Sequence, residues 1–377
     1  MLVAGEPSGD ALGGPLMAAL KKEFGPELSF MGIGGEAMTG QGLESLFPMS
    51  DLSIMGIAEI LPRIPLIRRR LAEAEALARD ARPDALVTID APGFNFRLAR
   101  RLAGQGIPLI HYVAPTVWSW RPGRAKEIAG FLDHLLAVLP FEPPYFDVEG
   151  LPCTFVGHTA VSAVAGDGPA FREAHGIDTD AVVLGILPGS RKGEIARHAP
   201  VFADVATELV RDIKNLHIVT PTVPHVADSV RQVFSTIPAP VTVVDGEQKT
   251  GAFAAMNAAL AASGTVTLEL SLAAVPCIAA YRMNPITIAI IRRLAKAKAI
   301  SLTNLILEKD IIPEFIQERC RTDVLFPALK EVLFDEQARE RQISASADVA
   351  AALGAGGRPP AERAAEVIKN VLNARSE

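Results

Sequence analysis

Two carboxylates in the first quarter of the chain follow short apolar segments, and each could take up a proton. Glu6 lies in GEPSGD (residues 5–10), and Asp90 lies in IDAPGFN (residues 89–95). The carboxyl ends of parallel strands face the ligand in open α/β sheets, so a carboxylate there suits general-base catalysis. An N-cap for the helix that follows is the alternative for Asp90.

The GEPSGD segment also predicts how a strand turns into a helix. We expect Ser8 and Asp10 to cap the following helix. Gly5 and Gly9 would allow close backbone approach, and free N–H groups at the helix start attract anions or hydroxyls. Glu6 and Ser8 are therefore candidate ligand contacts, and a plain strand–helix turn is the alternative.

A second pair of turns is typical of a site for a nucleotide diphosphate. LPGSRKGEI and ASGTVTLEL each join an apolar strand to a helix through small residues, but neither has the spacing of a P-loop. The candidate phosphate ligands are Gly189, Ser190, Arg191, Ser263, Gly264 and Thr265. A solvated loop is the alternative for the first turn.

Glu269 is the one carboxylate within an apolar stretch that runs from residue 260 to residue 285. An unpaired buried carboxylate is strongly unfavourable, so this charge needs a partner. Because Glu269 follows Thr265 by one helical turn, it could accept hydrogen bonds from a ribose beside the phosphates. An ion pair with an arginine or lysine elsewhere in the chain is the alternative.

Both tryptophans of the chain lie in one segment with two arginines. HYVAPTVWSWRPGR contains Trp118, Trp120, Arg121 and Arg124. Aromatic faces and guanidinium groups could hold a sugar or a phosphate. Packing of the tryptophans in the core is the alternative.

Two segments combine apolar residues with clustered arginines, as expected of a surface that binds anionic lipid. The residues expected to contact acyl chains or the bilayer are Ile54, Met55, Ile57, Ile60, Leu61, Arg68, Arg69, Arg70, Arg292 and Arg293. A helix with one buried and one solvated face is the usual alternative. The long apolar window near 252–281 contains Glu269 and Pro276, so we do not expect it to span a membrane.

The composition argues against several functional classes. A net charge of −6 and a pI near 5.7 disfavour a nucleic-acid coat. Three widely spaced cysteines, without C-x-x-C or H-E-x-x-H, predict a cytoplasmic protein with neither a disulfide scaffold nor a cysteine zinc site. The D-x-D at Asp178 precedes a strand, which favours a turn. We expect no metal and no cofactor.

Short apolar runs alternate with helical patterns, which predicts parallel α/β sheets. Predicted strands cover 28–31, 85–89, 108–113, 134–138, 182–187, 216–219, 241–244, 258–261 and 277–281. Predicted helices cover 11–23, 67–81, 94–103, 169–175, 200–212, 226–234, 251–257, 265–274 and 361–374. A glycine-rich stretch predicts domains 1–160 and 161–345, followed by a helical segment 346–377 that packs on the N-terminal domain or on a partner protomer.

In this order, the motifs resemble those of the lipid-A-disaccharide synthase family, which are GT-B-type glycosyltransferases. The resemblance covers about residues 2–320 and is carried by GEPSGD, MGIAEIL, IDAPGFN, IHYVAPTVWSWR, LPFE, FVGHT, LPGSRKGEI, ASGTVTLEL, YRMNP and SLTNLILEKDIIPEFIQE. It implies two Rossmann-type domains that face a cleft. Family members usually carry a few more residues before the first strand, so we expect that strand to be short.

The resemblance also implies a reaction in lipid A biosynthesis. UDP-2,3-diacylglucosamine would donate its sugar, with inversion, to the 6-hydroxyl of 2,3-diacylglucosamine 1-phosphate. Asp90 would be the base, with Glu6 and Ser8 beside it, and Arg191 would offset charge on the departing UDP. The remaining phosphate ligands would hold the diphosphate, and Glu269 would hold the ribose.

The resemblance further implies where the acceptor and the membrane bind. Trp118 and Arg121 would lie in the acceptor half, and Asn304 lies on a family motif expected near the cleft. A peripheral location on the cytoplasmic face of the inner membrane follows from the acylated substrates, and a homodimer is conceivable. The alternatives are another UDP-sugar enzyme of the same fold, such as an epimerase or a peptidoglycan glycosyltransferase, and a nucleotide-sensing or membrane-binding protein without catalysis.

Overall fold

The computed structural model describes residues 1–52, 57–120, 123–162, 165–283 and 299–376. The chain divides into two units, each with its own sheet. Unit 1 comprises Met1–Thr159 and Leu353–Glu377, and unit 2 comprises Ala160–Ala352.

Unit 1 contains a six-stranded parallel sheet with the strand order β2-β1-β3-β4-β5-β6. Its strands are β1 (Leu2–Ala4), β2 (Gly32–Ile33), β3 (Leu86–Ile89), β4 (Leu109–Tyr112), β5 (His134–Ala137) and β6 (Cys153–Phe155). Successive residues of a strand face opposite sides of the sheet, so Leu2 and Val3 enter different cores. Helices cover both faces, which explains why most residues of these strands are apolar.

Unit 2 contains a second six-stranded parallel sheet with the strand order β12-β11-β10-β7-β8-β9. Its strands are β7 (Val182–Leu187), β8 (Leu216–Pro221), β9 (Val241–Val244), β10 (Ala258–Ala262), β11 (Cys277–Tyr281) and β12 (Glu314–Ile316). Within each sheet the strands are parallel, so the loops that follow the strands lie along one edge of that sheet.

The helices alternate with these strands. They are α1 (Pro7–Phe24), α2 (Glu36–Thr39), α3 (Ile57–Ala81), α4 (Pro92–Leu102), α5 (Val117–Trp120), α6 (Gly123–Ala129), α7 (Pro144–Asp147), α8 (Gly168–Ala174), α9 (Lys192–Asp212), α10 (Pro224–Phe234), α11 (Lys249–Ala255), α12 (Thr265–Leu272), α13 (Leu302–Leu307), α14 (Thr322–Phe334), α15 (Glu336–Ala352) and α16 (Pro360–Ser376). Short 3-10 turns cover Met49–Asp51, Thr159–Ser162 and Gln317–Arg319. Among the helices that the structure describes, none combines the length and apolarity needed to cross a bilayer.

The last helix, α16, packs on α1 within unit 1. Ala364 and Ile368 of α16 are buried in the same core as Leu16. Lys22 pairs with Glu362 at 2.8 Å at the rim of this contact. The apolar stripe of the C-terminal segment therefore finds its partner in the same chain.

Three predicted strands match the structure residue for residue: 182–187, 241–244 and 277–281. The strand predicted at 28–31 is wrong, because the pairing segment is the two-residue β2. A Cβ on Gly32 would lie 1.8 Å from the Leu2 carbonyl oxygen, so glycine is required there for the backbones to approach. Strands β6 and β12 were not predicted; each has three residues, too few for a periodic signal.

Asp10 caps a helix, but not the one expected. Helix α1 begins at Pro7, so Asp10 lies inside it. The Asp10 carboxylate instead accepts hydrogen bonds from the backbone N–H groups of Gly35, Ala37 and Met38 at 2.8, 2.9 and 3.1 Å, at the start of α2. A carboxylate at a helix N-terminus satisfies otherwise unpaired donors and the helix dipole, so this contact ties α1 to α2.

We expect Asp10→Ala to lower the free energy of unfolding by about 2–3 kcal/mol, because three backbone N–H groups, in one buried and two partly buried hydrogen bonds, lose a charged acceptor. Urea denaturation would measure the change. Asp80→Ala, an exposed aspartate on α3, is the control and should change stability by less than about 0.5 kcal/mol. Equal losses in the two variants would show that the cap contributes nothing.

Candidate active site

Asp90 lies on a strained turn at the carboxyl end of β3. Asp90 and Ala91 have φ values of 51° and 41°, in the left-handed region. Such residues cost about 1–3 kcal/mol each and cluster at functional sites. The Asn95 side-chain amide holds the turn by donating to the carbonyl oxygens of Ile89 and Asp90 at 3.0 and 2.7 Å.

The glycines of GEPSGD make room for this turn. A Cβ on Gly5 would lie 2.7 Å from the Ala91 Cβ, and a Cβ on Gly9 would lie 3.0 Å from the Ile89 carbonyl oxygen. The backbone that these glycines allow to approach closely is therefore another segment of the same chain. It brings the loop after β1 against the loop after β3.

Ser8 contacts Asp90 directly. The Ser8 hydroxyl donates to Asp90 Oδ2 at 2.6 Å, so it orients the carboxylate instead of capping α1 as expected. Glu6 occupies the N-cap position of α1 and is exposed. The structure thus brings two of the predicted residues, Ser8 and Asp90, together, and leaves one oxygen of the Asp90 carboxylate outside this hydrogen bond.

Asp90 lines a pocket of about 290 Å³ within unit 1. The residues around it are Asp90, Pro92, Val113, Ala114, Pro115, Thr116 and Arg124. Pockets for small ligands begin at about this size, and a half-buried carboxylate inside one can meet a substrate hydroxyl. Sequence reasoning placed Arg124 beside Trp118 but did not place it with Asp90.

Trp118 packs against the protein on one side of its ring. Its ring meets Phe141 edge to face, with centroids 5.3 Å apart, and lies beside the buried carboxyl of Glu142. Burial raises the pKa of Glu142 to about 8, against the opposing effect of the hydrogen bond from the Leu139 N–H. Trp118 is half-buried, so part of its surface is accessible. Arg121 and the side chain of Trp120 lie outside the described residues.

The turn after β7 already contains an anion of its own. Glu194 Oε2 accepts the backbone N–H groups of Ser190 and Arg191 at 3.0 and 3.3 Å. The other carboxylate oxygen accepts the Arg191 guanidinium at 3.0 Å and the Tyr281 hydroxyl at 3.2 Å. The backbone N–H groups of Ser190 and Arg191 are therefore already bonded within the turn, which leaves the side chains of these two residues as the candidate phosphate contacts.

Glu194 is the residue that sequence reasoning missed in this turn. Although burial acts to raise the pKa of Glu194, hydrogen bonds and the nearby Arg191 bring it below its ordinary value, so the group is an anion. Gly189 has φ 118°, and a Cβ there would lie 2.6 Å from Glu194 Oε2. The spacing from Arg191 to Glu194 is that of a capping box, a signal that the sequence already contained.

In the turn after β10, one side chain is hydrogen-bonded within the protein. The Ser263 hydroxyl donates to the Ile300 carbonyl at 2.7 Å. Gly264 has φ 152°, and exposed Thr265 is the first residue of α12. Gly264 and Thr265 are therefore the members of this turn that remain open to a phosphate.

Glu269 forms the ion pair that was the alternative interpretation. Lys249 Nζ lies 2.7 Å from Glu269 Oε1, and 27% of the Glu269 side chain is exposed. The carboxylate is thus neither unpaired nor fully buried, which explains why an apolar helix tolerates it. A role for Glu269 in holding a ribose would have to coexist with Lys249.

Asn304, which the family motif led us to expect near the cleft, is hydrogen-bonded within unit 2. Its side chain is buried, and its amide oxygen accepts the N–H groups of Ile311 and Ile312 at 3.0 and 2.9 Å. Its amide nitrogen donates to the Ile312 carbonyl and to Glu314. All of these contacts close the loop between α13 and β12, so the residue is structural.

The predicted membrane contacts are described only in part. Ile54, Met55, Arg292 and Arg293 lie outside the described residues, as do the side chains of Ile57, Ile60 and Leu61. Arg68 and Arg69 are exposed on α3. Arg70 instead pairs with Asp51 at 2.6 Å and Glu73 at 2.7 Å, so it is committed to the protein.

No group of three or more His, Cys, Asp or Glu side chains is arranged to hold a metal ion in the part of the chain that the structure describes. Asp178 lies in a turn before β7, where its carbonyl accepts the Ala181 N–H at 3.1 Å. The D-x-D sequence is thus part of a turn, as predicted.

Comparison with solved structures identifies the fold class. The UDP-N-acetylglucosamine 2-epimerase of Neisseria meningitidis, bound to UDP-GlcNAc, aligns over 99% of both chains with a TM-score of 0.67 and 13% identity. Acinetobacter baumannii MurG aligns over 98% of both chains with a TM-score of 0.55 and 15% identity. The predicted GT-B-like fold with two Rossmann-type sheets is confirmed.

Comparison of sequences is more specific. The profile of the family described as lipid-A-disaccharide synthetase matches residues 1–368. The lipid-A-disaccharide synthase of Rhodospirillum centenum is 50% identical over 99% of this chain and 94% of that protein. The corresponding protein of Paramagnetospirillum magneticum is 46% identical over 100% of this chain and 98% of its own length. The chain therefore belongs to the lipid-A-disaccharide synthase family.

Proposed function

We propose that this glycosyltransferase performs its family's reaction by direct displacement, with Asp90 as the base. The reaction joins UDP-2,3-diacylglucosamine to 2,3-diacylglucosamine 1-phosphate and gives a β-1,6-linked tetraacyl disaccharide 1-phosphate and UDP. The observation that carries the residue assignment is the strained turn that holds Asp90, hydrogen-bonded to Ser8, in a pocket of about 290 Å³.

Inversion requires one displacement at the anomeric carbon. The 6-oxygen of the acceptor forms the new bond to C1 as the bond from C1 to the diphosphate breaks, and UDP leaves with the electron pair. The acceptor proton passes to the Asp90 oxygen that Ser8 does not occupy. Glu6, exposed at the start of α1, is the second candidate carboxylate beside this hydroxyl.

Charge on the departing UDP needs a cation, and we assign that role to Arg191. Its side chain is 76% exposed, and Glu194 fixes one nitrogen of its guanidinium. The remaining donors of the guanidinium, the Ser190 hydroxyl, Gly189, Gly264 and Thr265 would contact the diphosphate. Ser263 would support this turn through its bond to Ile300.

Glu269 would accept a ribose hydroxyl with the oxygen that Lys249 does not hold. We expect Glu269→Gln to weaken UDP binding about 10-fold, because a charged acceptor is replaced by a neutral one. The same variant should bind UDP and 2′,3′-dideoxy-UDP almost equally, whereas the wild type prefers UDP. Calorimetric titration would measure both affinities.

Lys249→Gln is the matched control for Glu269→Gln, because it breaks the same ion pair but keeps the carboxylate. UDP affinity should be retained in this variant. If both substitutions weaken UDP and dideoxy-UDP to the same extent, Glu269 serves the ion pair alone.

We also propose that the protein acts as a peripheral protein on the cytoplasmic face of the inner membrane. Substrates with several acyl chains partition into the bilayer, so the enzyme must reach them there. Exposed Arg68 and Arg69 would attract anionic headgroups. We also predict that Trp118 and Arg121 contact the acceptor. A homodimer is a separate prediction.

Release of UDP by the purified protein in detergent tests the reaction. We expect release from UDP-2,3-diacylglucosamine only when 2,3-diacylglucosamine 1-phosphate is present, and we expect it to persist in EDTA. Release without the acceptor would favour a hydrolase or an epimerase-like reaction. Binding of UDP without any release would favour a nucleotide sensor.

A further inference from the structure

Arg124 brings a positive charge to the same pocket as Asp90. It lies in the first turn of α6, and its guanidinium carbon is 5.5 Å from the centre of the Phe96 ring. Among the described residues that line the pocket, Asp90 and Arg124 carry the charges. A ligand in this pocket would therefore meet a carboxylate and a guanidinium together.

The aromatic groups on one side of Arg124, Phe96 and His111, are uncharged. His111 is buried below the Phe96 ring, with the two ring centres 4.6 Å apart, and its Nδ1 lies 2.8 Å from the Thr88 hydroxyl. Burial lowers the pKa of His111 to about 3, and the positive charge of Arg124 acts in the same direction. Neutral aromatic rings thus support the guanidinium from this side.

We propose that Arg124 binds the 1-phosphate of the acceptor and so selects the acceptor sugar. This inference rests on the proposed reaction. In 2,3-diacylglucosamine 1-phosphate, the 1-phosphate is on C1 and the 6-hydroxymethyl group is on C5, so the two groups flank the ring oxygen of one pyranose ring. A pocket of about 290 Å³ can hold one such ring, with the hydroxyl at Asp90 and the phosphate at Arg124.

A phosphate contact at Arg124 would favour the acceptor over the donor in this pocket. The donor has no terminal phosphate, because its 1-phosphate is the β-phosphate of UDP and is joined to UMP by an anhydride bond. A guanidinium can bind a phosphate monoester through two parallel hydrogen bonds, and hydrogen bonds between charged groups are stronger than those between neutral groups. Arg124 would therefore discriminate between two sugars that carry the same acyl groups.

The test compares two acceptors, 2,3-diacylglucosamine 1-phosphate and 2,3-diacylglucosamine, in the UDP-release assay. The wild type should prefer the phosphorylated acceptor by about 10- to 100-fold in kcat/KM. Arg124→Ala should raise the KM for the phosphorylated acceptor by a similar factor, leave the donor KM unchanged and remove the preference. Arg124→Lys should retain an intermediate preference, because it keeps the charge but not the paired geometry.

Arg100→Ala is the matched control. Arg100 also lies over a phenylalanine, with its guanidinium carbon 4.9 Å from the centre of Phe131, and Phe131 packs on Phe96. Arg100 does not line the pocket, so its loss should leave the acceptor preference intact. Thermal unfolding of both variants would separate loss of fold from loss of recognition.

Three results would overturn the role of Arg124. They are a wild type that does not distinguish the two acceptors, an Arg124→Ala variant that keeps the wild-type preference, and an Arg100→Ala variant that loses it equally. Failure of the proposed reaction looks different, because the wild type would then release no UDP in response to either acceptor.

Discussion

Asp90→Asn should lower kcat about 100- to 10,000-fold, the range expected when a general base is removed. Asparagine has nearly the same shape and can still accept the Ser8 hydrogen bond through its side-chain oxygen. It cannot take the proton of the acceptor hydroxyl. The affinity for UDP should therefore stay the same while turnover is lost, and the UDP-release assay combined with calorimetry would measure both.

Two further variants make this result specific to Asp90. Ser8→Ala removes the hydrogen bond that orients the carboxylate, so we expect a loss of about 10-fold in turnover. Glu6→Gln tests the other carboxylate and should cost less than Asp90→Asn. If Glu6→Gln abolishes turnover and Asp90→Asn retains it, the base is Glu6 and our assignment is wrong.

Arg191→Ala should lower kcat about 100- to 1,000-fold, because the departing UDP loses a fixed positive charge. The variant should also bind UDP more weakly, while binding of uridine, which has no phosphates, stays unchanged. Glu194→Gln should have a smaller effect of the same kind, since Glu194 orders the backbone of this turn and one nitrogen of Arg191. Steady-state kinetics with both substrates would measure these changes.

The double variant decides whether Glu194 acts through Arg191. If it does, Glu194→Gln changes UDP affinity little once Arg191 is already alanine. Glu208→Gln is the matched control, because Glu208 and Arg211 form an exposed pair three residues apart on the same helix, α9. Unchanged UDP binding and turnover in Arg191→Ala would show that another cation meets the diphosphate.

The local order of the chain was readable from its pattern of apolar residues. Strands such as 182–187 and 277–281 are buried on both faces, so they appear as continuous apolar runs with sharp ends. The position of Asp90 directly after such a run also followed from the sequence. The motifs, taken in order, were enough to predict the family and the GT-B-like fold, both of which are confirmed.

The partners of the polar side chains were decided by tertiary structure. Asp10 caps α2 and Glu269 pairs with Lys249, and these contacts join residues 25 and 20 positions apart in the sequence. Asn304 instead closes a local loop, through Ile311. A periodic pattern shows which face of an element is buried, but not which donor on another element meets a given acceptor. That choice depends on how the helices pack on the sheet. For the same reason the family resemblance predicted Asp90 as a base with Ser8 beside it, whereas only the fold showed the Ser8 hydrogen bond and placed Arg124 in the same pocket.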